Sequence, residues 1–268
     1  MNRILVCTDF SPGSTNAMLY AAKLAAATST TLVLVHVLHE TGGKPAGREK
    51  ETAVNAKLLL TAEELEKRFK VNVNTEKRTG LPVDEIISAA RKHRASLIVT
   101  GAKETAAGSG LVGGLVYDLM HASLFPVLAV PVGCAFASYR EVVFAVDPKN
   151  RDKYDDQLLR ELTETFHSRL TIAVVTEPGT REKMMKDAAA LVLEYNYAGL
   201  MHRLHVGEST NLEKGMQAIV KQNEADLLVI IPQRNHYIDR LMQVTKTQKV
   251  LRNIDIPLLT LPRLTSAV

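Results

Sequence analysis

Two stretches of the chain hold residue types that can do chemistry. Thr8-Asp9 closes the apolar run Ile4-Leu5-Val6-Cys7. Gly101-Ala102-Lys103-Glu104 opens a glycine-rich segment that continues through Gly108-Ser109-Gly110-Leu111-Val112-Gly113-Gly114 into a helix starting at about Leu115. Unpaired N–H groups in such a loop and the dipole of the helix it feeds point at one spot, which makes a physical anion site. Gly108 to Gly113 also matches the dinucleotide pattern GxGxxG. That match lies several residues past its strand, and no acidic residue follows at the usual distance. Flexible-loop composition accounts for the same glycines.

The elements that must position these residues are written twice. Ile4-Leu5-Val6-Cys7-Thr8-Asp9 recurs as Val142-Val143-Phe144-Ala145-Val146-Asp147, and the apolar runs Leu32 to Val37 and Leu170 to Val175 repeat at the same offset, 147 minus 9, or 138 positions. Ala95 to Val99 answers Ala225 to Val229, and Pro126-Val127-Leu128 answers Pro257-Leu258-Leu259. Two similar domains in tandem follow, 1–134 and 139–268, with the boundary near Gly133 to Tyr139.

Within each half, β-branched runs alternate with stretches of helical period, the pattern of a parallel sheet joined by crossover helices. Strands are predicted near 3–9, 31–38, 71–77, 95–101 and 126–131, then 141–147, 169–176, 200–206, 225–231 and 257–261. Helices are predicted near 13–28, 48–70, 82–94 and 114–123, then 151–167, 180–197, 211–223 and 237–250. Val54, Leu58, Ala62, Leu65 and Phe69 mark the buried side of the longest helix. Right-handed crossovers make each half an α/β, Rossmann-like, doubly wound domain with a five-stranded parallel sheet. Ligands of such sheets bind beyond the carboxyl ends of the strands, so Thr8, Asp9, Val37 to His39 and Gly101 to Leu115 are the positions that matter.

Composition narrows the function. Hydrophobic residues at 46% and charged residues at 23% describe an ordinary globular protein. A formal charge of +4 without a basic block, and aromatics at 5%, offer neither footprint nor stacking platforms for nucleic acid. No apolar run is long enough to span a bilayer. Two cysteines in uninformative contexts point to a reducing compartment, so the expected location is the cytoplasm.

His202 and His205 stand three apart on a predicted strand, face opposite ways and cannot jointly grip a metal. His36 and Cys7 are expected as packed core residues, and His39-Glu40 as a loop marker. Ser11 is the expected cap of the first helix and Asn150 of its counterpart in the second half.

The opening Ile-Leu-Val-Cys-Thr-Asp-Phe-Ser (4–11), Leu32-Val33-Leu34-Val35-His36-Val37, the glycine loop at 101–114 and Pro126-Val127-Leu128 resemble the universal stress protein family, and the whole chain resembles a tandem member. The resemblance implies domains that pair through their last strands, here as an intramolecular pseudo-dimer with room for a further homodimer, and in many members a bound ATP. ATP-binding members carry glycine, two residues, glycine, nine residues, then glycine followed by serine or threonine. The first and third glycines fall on Gly101 and Gly114, whereas Glu104 and Leu115 stand at the second glycine and the hydroxyl position. A carboxylate about 5 Å from phosphate costs ~3 kcal/mol at an effective dielectric of ~20, roughly two decades of affinity. Lys103 turned inward would partly offset it.

Candidate nucleotide-binding residues are thus Thr8, Asp9, Val37, Gly101, Gly113 and Gly114, with ATP or AMP as the ligand and the base end held through Asp9 and the Val37 backbone as in the family. In the second half Ile231, Arg234, Val244 and Thr245 occupy the motif positions. Ile231 would fill ligand space, and Pro232 has no N–H to donate. That domain reads as having lost its nucleotide site, although Asp147 keeps its place, with helix capping as an equal explanation.

Three functions follow. The chain is a stress-response protein working by binding and conformation, with at most weak adenine-nucleotide affinity in its first domain. Or it is a scaffold with vestigial pockets, whose protein partner is unknown and docks on the sheets or on 237–250, where Tyr237, Leu241 and Val244 line one side. Or it is a nucleotide-using enzyme, against which Asp9-Phe10-Ser11-Pro12-Gly13 stands where a pyrophosphate loop would be. No metal or catalytic residue is expected, and weak ATP hydrolysis is left open.

Overall fold

The computed structural model describes residues 1–38, 48–101, 104–105, 108–109, 114–147, 153–194, 197–232 and 255–264. The chain divides into two compact units, Met1–Phe136 and Ala137–Val268.

The first unit runs β1 (Arg3–Cys7), α1 (Pro12–Ala27), β2 (Thr31–Leu38), α2 (Arg48–Phe69), β3 (Val73–Thr79), α3 (Pro82–His93) and β4 (Leu97–Gly101). A small ribbon, β5 (Glu104–Thr105) and β6 (Gly108–Ser109), precedes α4 (Gly114–Ala122) and β7 (Val127–Val130). The sheet order is β7-β4-β1-β2-β3, with every pair parallel. Ile4, Leu5, Val6, Leu97, Ile98 and Val99 are fully buried. Central strands covered on both faces read as continuous apolar runs, which is why β1 and β4 show no alternation.

Local chemistry sets the helix ends. Ser11 caps α1 by accepting the Ser14 N–H, and Pro12 enters the first turn, where its missing donor costs nothing. Asp84 and Glu85 lie at the positive end of α3, and Arg94 closes that helix in the left-handed conformation with φ 50°. Along α2, Leu58, Ala62 and Leu65 are buried, while Val54 and Phe69 are half-buried at the margins of the same stripe.

The edge strand β3 is mixed in character and is held by charge. The Glu76 carboxylate, mostly buried, accepts from Arg78 Nε at 2.7 Å, Lys92 Nζ at 3.0 Å and His93 Nε2. Burial alone would raise its pKa, but the His93 and Lys92 hydrogen bonds and the Arg78 charge outweigh that and hold it below the usual carboxylate value.

The second unit runs β8 (Glu141–Ala145), α5 (Gln157–Thr165), β9 (Arg169–Thr176), α6 (Arg181–Glu194), a 3₁₀ turn at Tyr197–Gly199, β10 (His202–Glu208), α7 (Leu212–Gln222), β11 (Leu227–Ile230) and β12 (Leu258–Thr260). Its order, β10-β9-β8-β11-β12, is again all parallel. The strand runs are those expected to within about two residues at each end.

The first helix of this unit departs from expectation. It was predicted from residue 151, yet α5 begins only at Gln157 behind Asp156, and Lys153 to Asp156 are non-helical. Tyr154 instead bridges to Arg263 and buries its ring against Phe144. The expected cap Asn150 and the predicted helix 237–250 lie outside the described residues.

Candidate functional site

Sheet topology places the site of the first unit. The chain runs from β1 outward through β2 to β3 and then crosses to β4 on the other side of β1, so the winding direction reverses beside β1. The last paired residue of β1 is Cys7, opposite Val35, and Thr8 N–H still donates to the Val35 carbonyl at 2.9 Å. The chain then turns away through Phe10, whose φ is 62°. Non-glycine residues seldom take that conformation, so local contacts must hold it.

Strand β2 continues past this point. Its odd residues point their main-chain groups toward β1, as Val35 does, and its even residues point toward β3, as Leu38 does in accepting the Gly80 N–H at 3.1 Å. Val37 therefore directs an N–H and a C=O across the line β1 has left. Asp9 is exposed beside it, with Oδ1 accepting the Ser11 N–H at 3.1 Å. The result is a notch beyond β1, between β2 and β4, with one main-chain donor, one main-chain acceptor and one carboxylate at its rim.

Thr8 lies at the base of that notch and is committed to structure. It is buried, its Oγ1 accepts the Phe10 N–H at 3.0 Å and meets Ser14 Oγ at 3.2 Å. Its carbonyl accepts from His36 Nδ1 at 2.8 Å, which sets the proton of that ring on Nδ1. His36 was expected in the core. It is half-buried instead and stacks on Phe10, centroids 5.1 Å apart and planes at 21°. Lys57, reaching from α2, places Nζ 4.3 Å from the Phe10 centroid.

Gly101 ends β4 on the other side of the notch. A Cβ there would collide with the Gly13 carbonyl oxygen, 2.6 Å from its carbon and 2.9 Å from Ser14 N. The glycine is thus required by the first turn of α1 pressing on the strand end, whether or not a phosphate ever approaches. Gly114 differs, for a Cβ on it would meet nothing within 4 Å. It opens α4, and Leu115 follows half-buried in the first turn.

The segment between them was read as loop, but it contains the β5-β6 ribbon, with Glu104 opposite Ser109 and Thr105 opposite Gly108. Gly108-Ser109 is therefore antiparallel strand, not a strand-to-helix turn. Gly113 lies outside the described residues, as do Lys103, His39 and Glu40.

The corresponding end of the second unit is built differently. Val146 N–H donates to the Ala173 carbonyl at 3.0 Å, as Thr8 does to Val35, but Val146 brings no hydroxyl. Ile231 follows β11 half-buried, and Asp147 is half-buried too. The helix that follows also differs in place: α5 starts ten residues after Asp147, whereas α1 starts three after Asp9. Arg234 and Thr245, with Tyr237, Leu241 and Val244, lie outside the described residues.

Among the remaining candidates, Cys7 is buried in β1, which pushes its thiol up to about 12. His205 has its pKa lowered by burial first, then by the Arg203 and Arg181 charges, and meets the Asn223 amide at 3.3 Å. Among the described residues no three His, Cys, Asp or Glu side chains gather as metal ligands, and no helix is long and apolar enough to cross a membrane. Phe10 and Lys57 are the residues sequence reasoning did not single out. No local spacing ties a lysine on α2 to a phenylalanine 47 positions earlier.

A parallel α/β unit with a switch point of this kind has the doubly wound, Rossmann-like architecture. Residues 1–131 match the model of the universal stress protein family, and the domain they form belongs to that family. Comparison with curated proteins gives no match. Among solved structures, a universal stress protein from Archaeoglobus fulgidus DSM 4304 is similar over 98% of this chain and 98% of its own, at 18% identity and TM-score 0.75. A functionally unknown protein from Pseudomonas aeruginosa PAO1 is similar over 97% of this chain and 92% of its own, at 15% identity and TM-score 0.63. These two likenesses extend the tandem α/β architecture over the whole chain.

Proposed function

We propose that the first unit binds the base and sugar of an adenine nucleotide, ATP or AMP, weakly in the notch above β1, and that the protein acts through this binding and its conformation without turnover. The observation that carries the reading is that β2 continues through Val37 beyond the last β1 pair, Cys7 with Val35, with the exposed Asp9 just past the end of β1. An adenine edge offers one acceptor and one donor to such a pair, and a carboxylate suits ribose hydroxyls. The phosphate end is spoiled at Glu104 and Leu115, so the triphosphate adds little affinity. In the second unit Ile231, Arg234 and Thr245 stand where the motif needs glycines and a hydroxyl, and no nucleotide binds there. A cytoplasmic location fits Cys7 and Cys134, both of which remain thiols.

Calorimetric titration of the purified protein with AMP and with ATP, beside Asp9→Ala, tests the reading. It requires measurable AMP binding that Asp9→Ala weakens at least tenfold. Absence of AMP binding contradicts it and favours a scaffold, for which Leu59 and Leu60, 57% and 67% exposed on α2, are the apolar surface at hand. ATP turnover abolished by Asp9→Ala would place the protein among enzymes.

A further inference from the structure

We infer that Lys57 is a built-in cap on the base end of the notch, which an incoming adenine must displace. The inference rests on the nucleotide reading above and adds a residue outside the family motif. Phe10 is the aromatic ring at the end of β1, one residue past Asp9, and its position is held from several sides. Its N–H donates to Thr8 Oγ1 at 3.0 Å, and its backbone stays at φ 62°. His36 stacks on its ring while being tied by Nδ1–H to the Thr8 carbonyl at 2.8 Å.

A half-buried aromatic at the end of the central strand can serve as a stacking platform for a flat base. Here the platform is already engaged. Lys57 Nζ sits 4.3 Å from the ring centroid, well within the range of a cation–π contact. The ammonium comes from α2, and its side chain is exposed, so it can swing into water without unpacking the core. A base stacking on Phe10 takes the place of the ammonium and forfeits the cation–π contact. A contact of this exposed kind corresponds to about 2- to 5-fold in affinity, about 0.5–1 kcal/mol.

The cap makes a prediction opposite to that of an ordinary ligand-contacting lysine, because removing it tightens binding. Adenosine is the appropriate probe, since it carries no phosphate for a lysine to attract. Titration calorimetry compares wild type, Lys57→Met, Phe10→Leu and the Lys57→Met/Phe10→Leu double variant with adenosine and AMP, and the urea midpoint of each confirms folding. In the free protein, the Lys57 ε-methylene proton resonances are expected to show a ring-current shift that Phe10→Leu removes.

The expected result is a 2- to 5-fold gain in adenosine affinity for Lys57→Met, absent when Phe10 is already leucine. Unchanged or weakened adenosine binding in Lys57→Met, with AMP still bound by wild type, overturns the cap and leaves the nucleotide reading standing. Absence of a ring-current shift at Lys57 overturns the cap by itself. Failure of adenosine and AMP to bind any of the four proteins overturns the nucleotide reading and the cap together.

Discussion

Gly101, at the end of β4, lies so close to Gly13 in the first turn of α1 that a single added carbon would sit 2.6 Å from the Gly13 carbonyl carbon. A glycine that aligns with a nucleotide motif thus has a packing cause independent of any ligand. Of the two motif glycines, packing requires Gly101 and places no such demand on Gly114.

Gly101→Ala is expected to destabilise the first unit by about 1–3 kcal/mol, because the collision is with backbone that cannot rotate away. Gly114→Ala meets open space and removes chain entropy from the unfolded state, so stability stays level or rises slightly. Urea unfolding of both variants checks the pair. Equal midpoints would contradict the packing explanation of Gly101.

Glu76 ties stability to acid. Its pKa is lowered in the folded state, so its contribution is present above the unfolded carboxylate value of about 4.3 and is lost as pH falls through the folded value. Glu76→Gln is expected to cost about 1–2 kcal/mol at neutral pH. It should also flatten the fall in urea midpoint between about pH 5 and pH 3. A variant with the acid slope of wild type would show that Arg78, Lys92 and His93 gain nothing from the carboxylate.

Tyr197 is fully buried in the second unit, within 3.2 Å of the Tyr154 hydroxyl and under the Arg160 guanidinium, 4.9 Å from its ring. Burial first, then Tyr154 and Asp156, push its phenol far above the ordinary value. A raised acid pKa gives stability that is complete below the unfolded value of about 10 and declines as pH rises beyond it. Absorbance titration at alkaline pH should show this phenol ionising only with unfolding. Tyr197→Phe is expected to cost about 1–2 kcal/mol through the lost hydrogen bonds.

The two cysteines should differ sharply toward a disulfide reagent. Burial holds the Cys7 thiol at about 12, whereas Cys134 is partly exposed. Roughly one thiol per chain should react in the folded protein, and Cys134→Ser should abolish that reaction. Reaction of Cys7 in the folded state would mean that β1 opens locally.

Most of the fold was legible because apolar periodicity and the repeat of Asp9 as Asp147 are properties of short segments. The late start of α5 was not, since the decision is tertiary: Tyr154 joins Arg263 and Phe144 instead of entering the helix. At the site, Asp9, Val37 and Gly101 could be located from strand ends alone. The role of His36 could not, because alternation places it on a face without saying that Phe10 turns back to meet it. Glu104 was read as a loop residue, and its pairing with Ser109 follows from a ribbon too short to leave a sequence signature.

The central claim is that the notch keeps its base end and has lost its phosphate end. Titration of ATP against wild type and against Glu104→Gly/Leu115→Ser tests this most directly. The account predicts that wild type binds ATP no more tightly than AMP, and that the double substitution tightens ATP by roughly two decades. Low-micromolar ATP binding by wild type, unchanged by the double substitution, would contradict it.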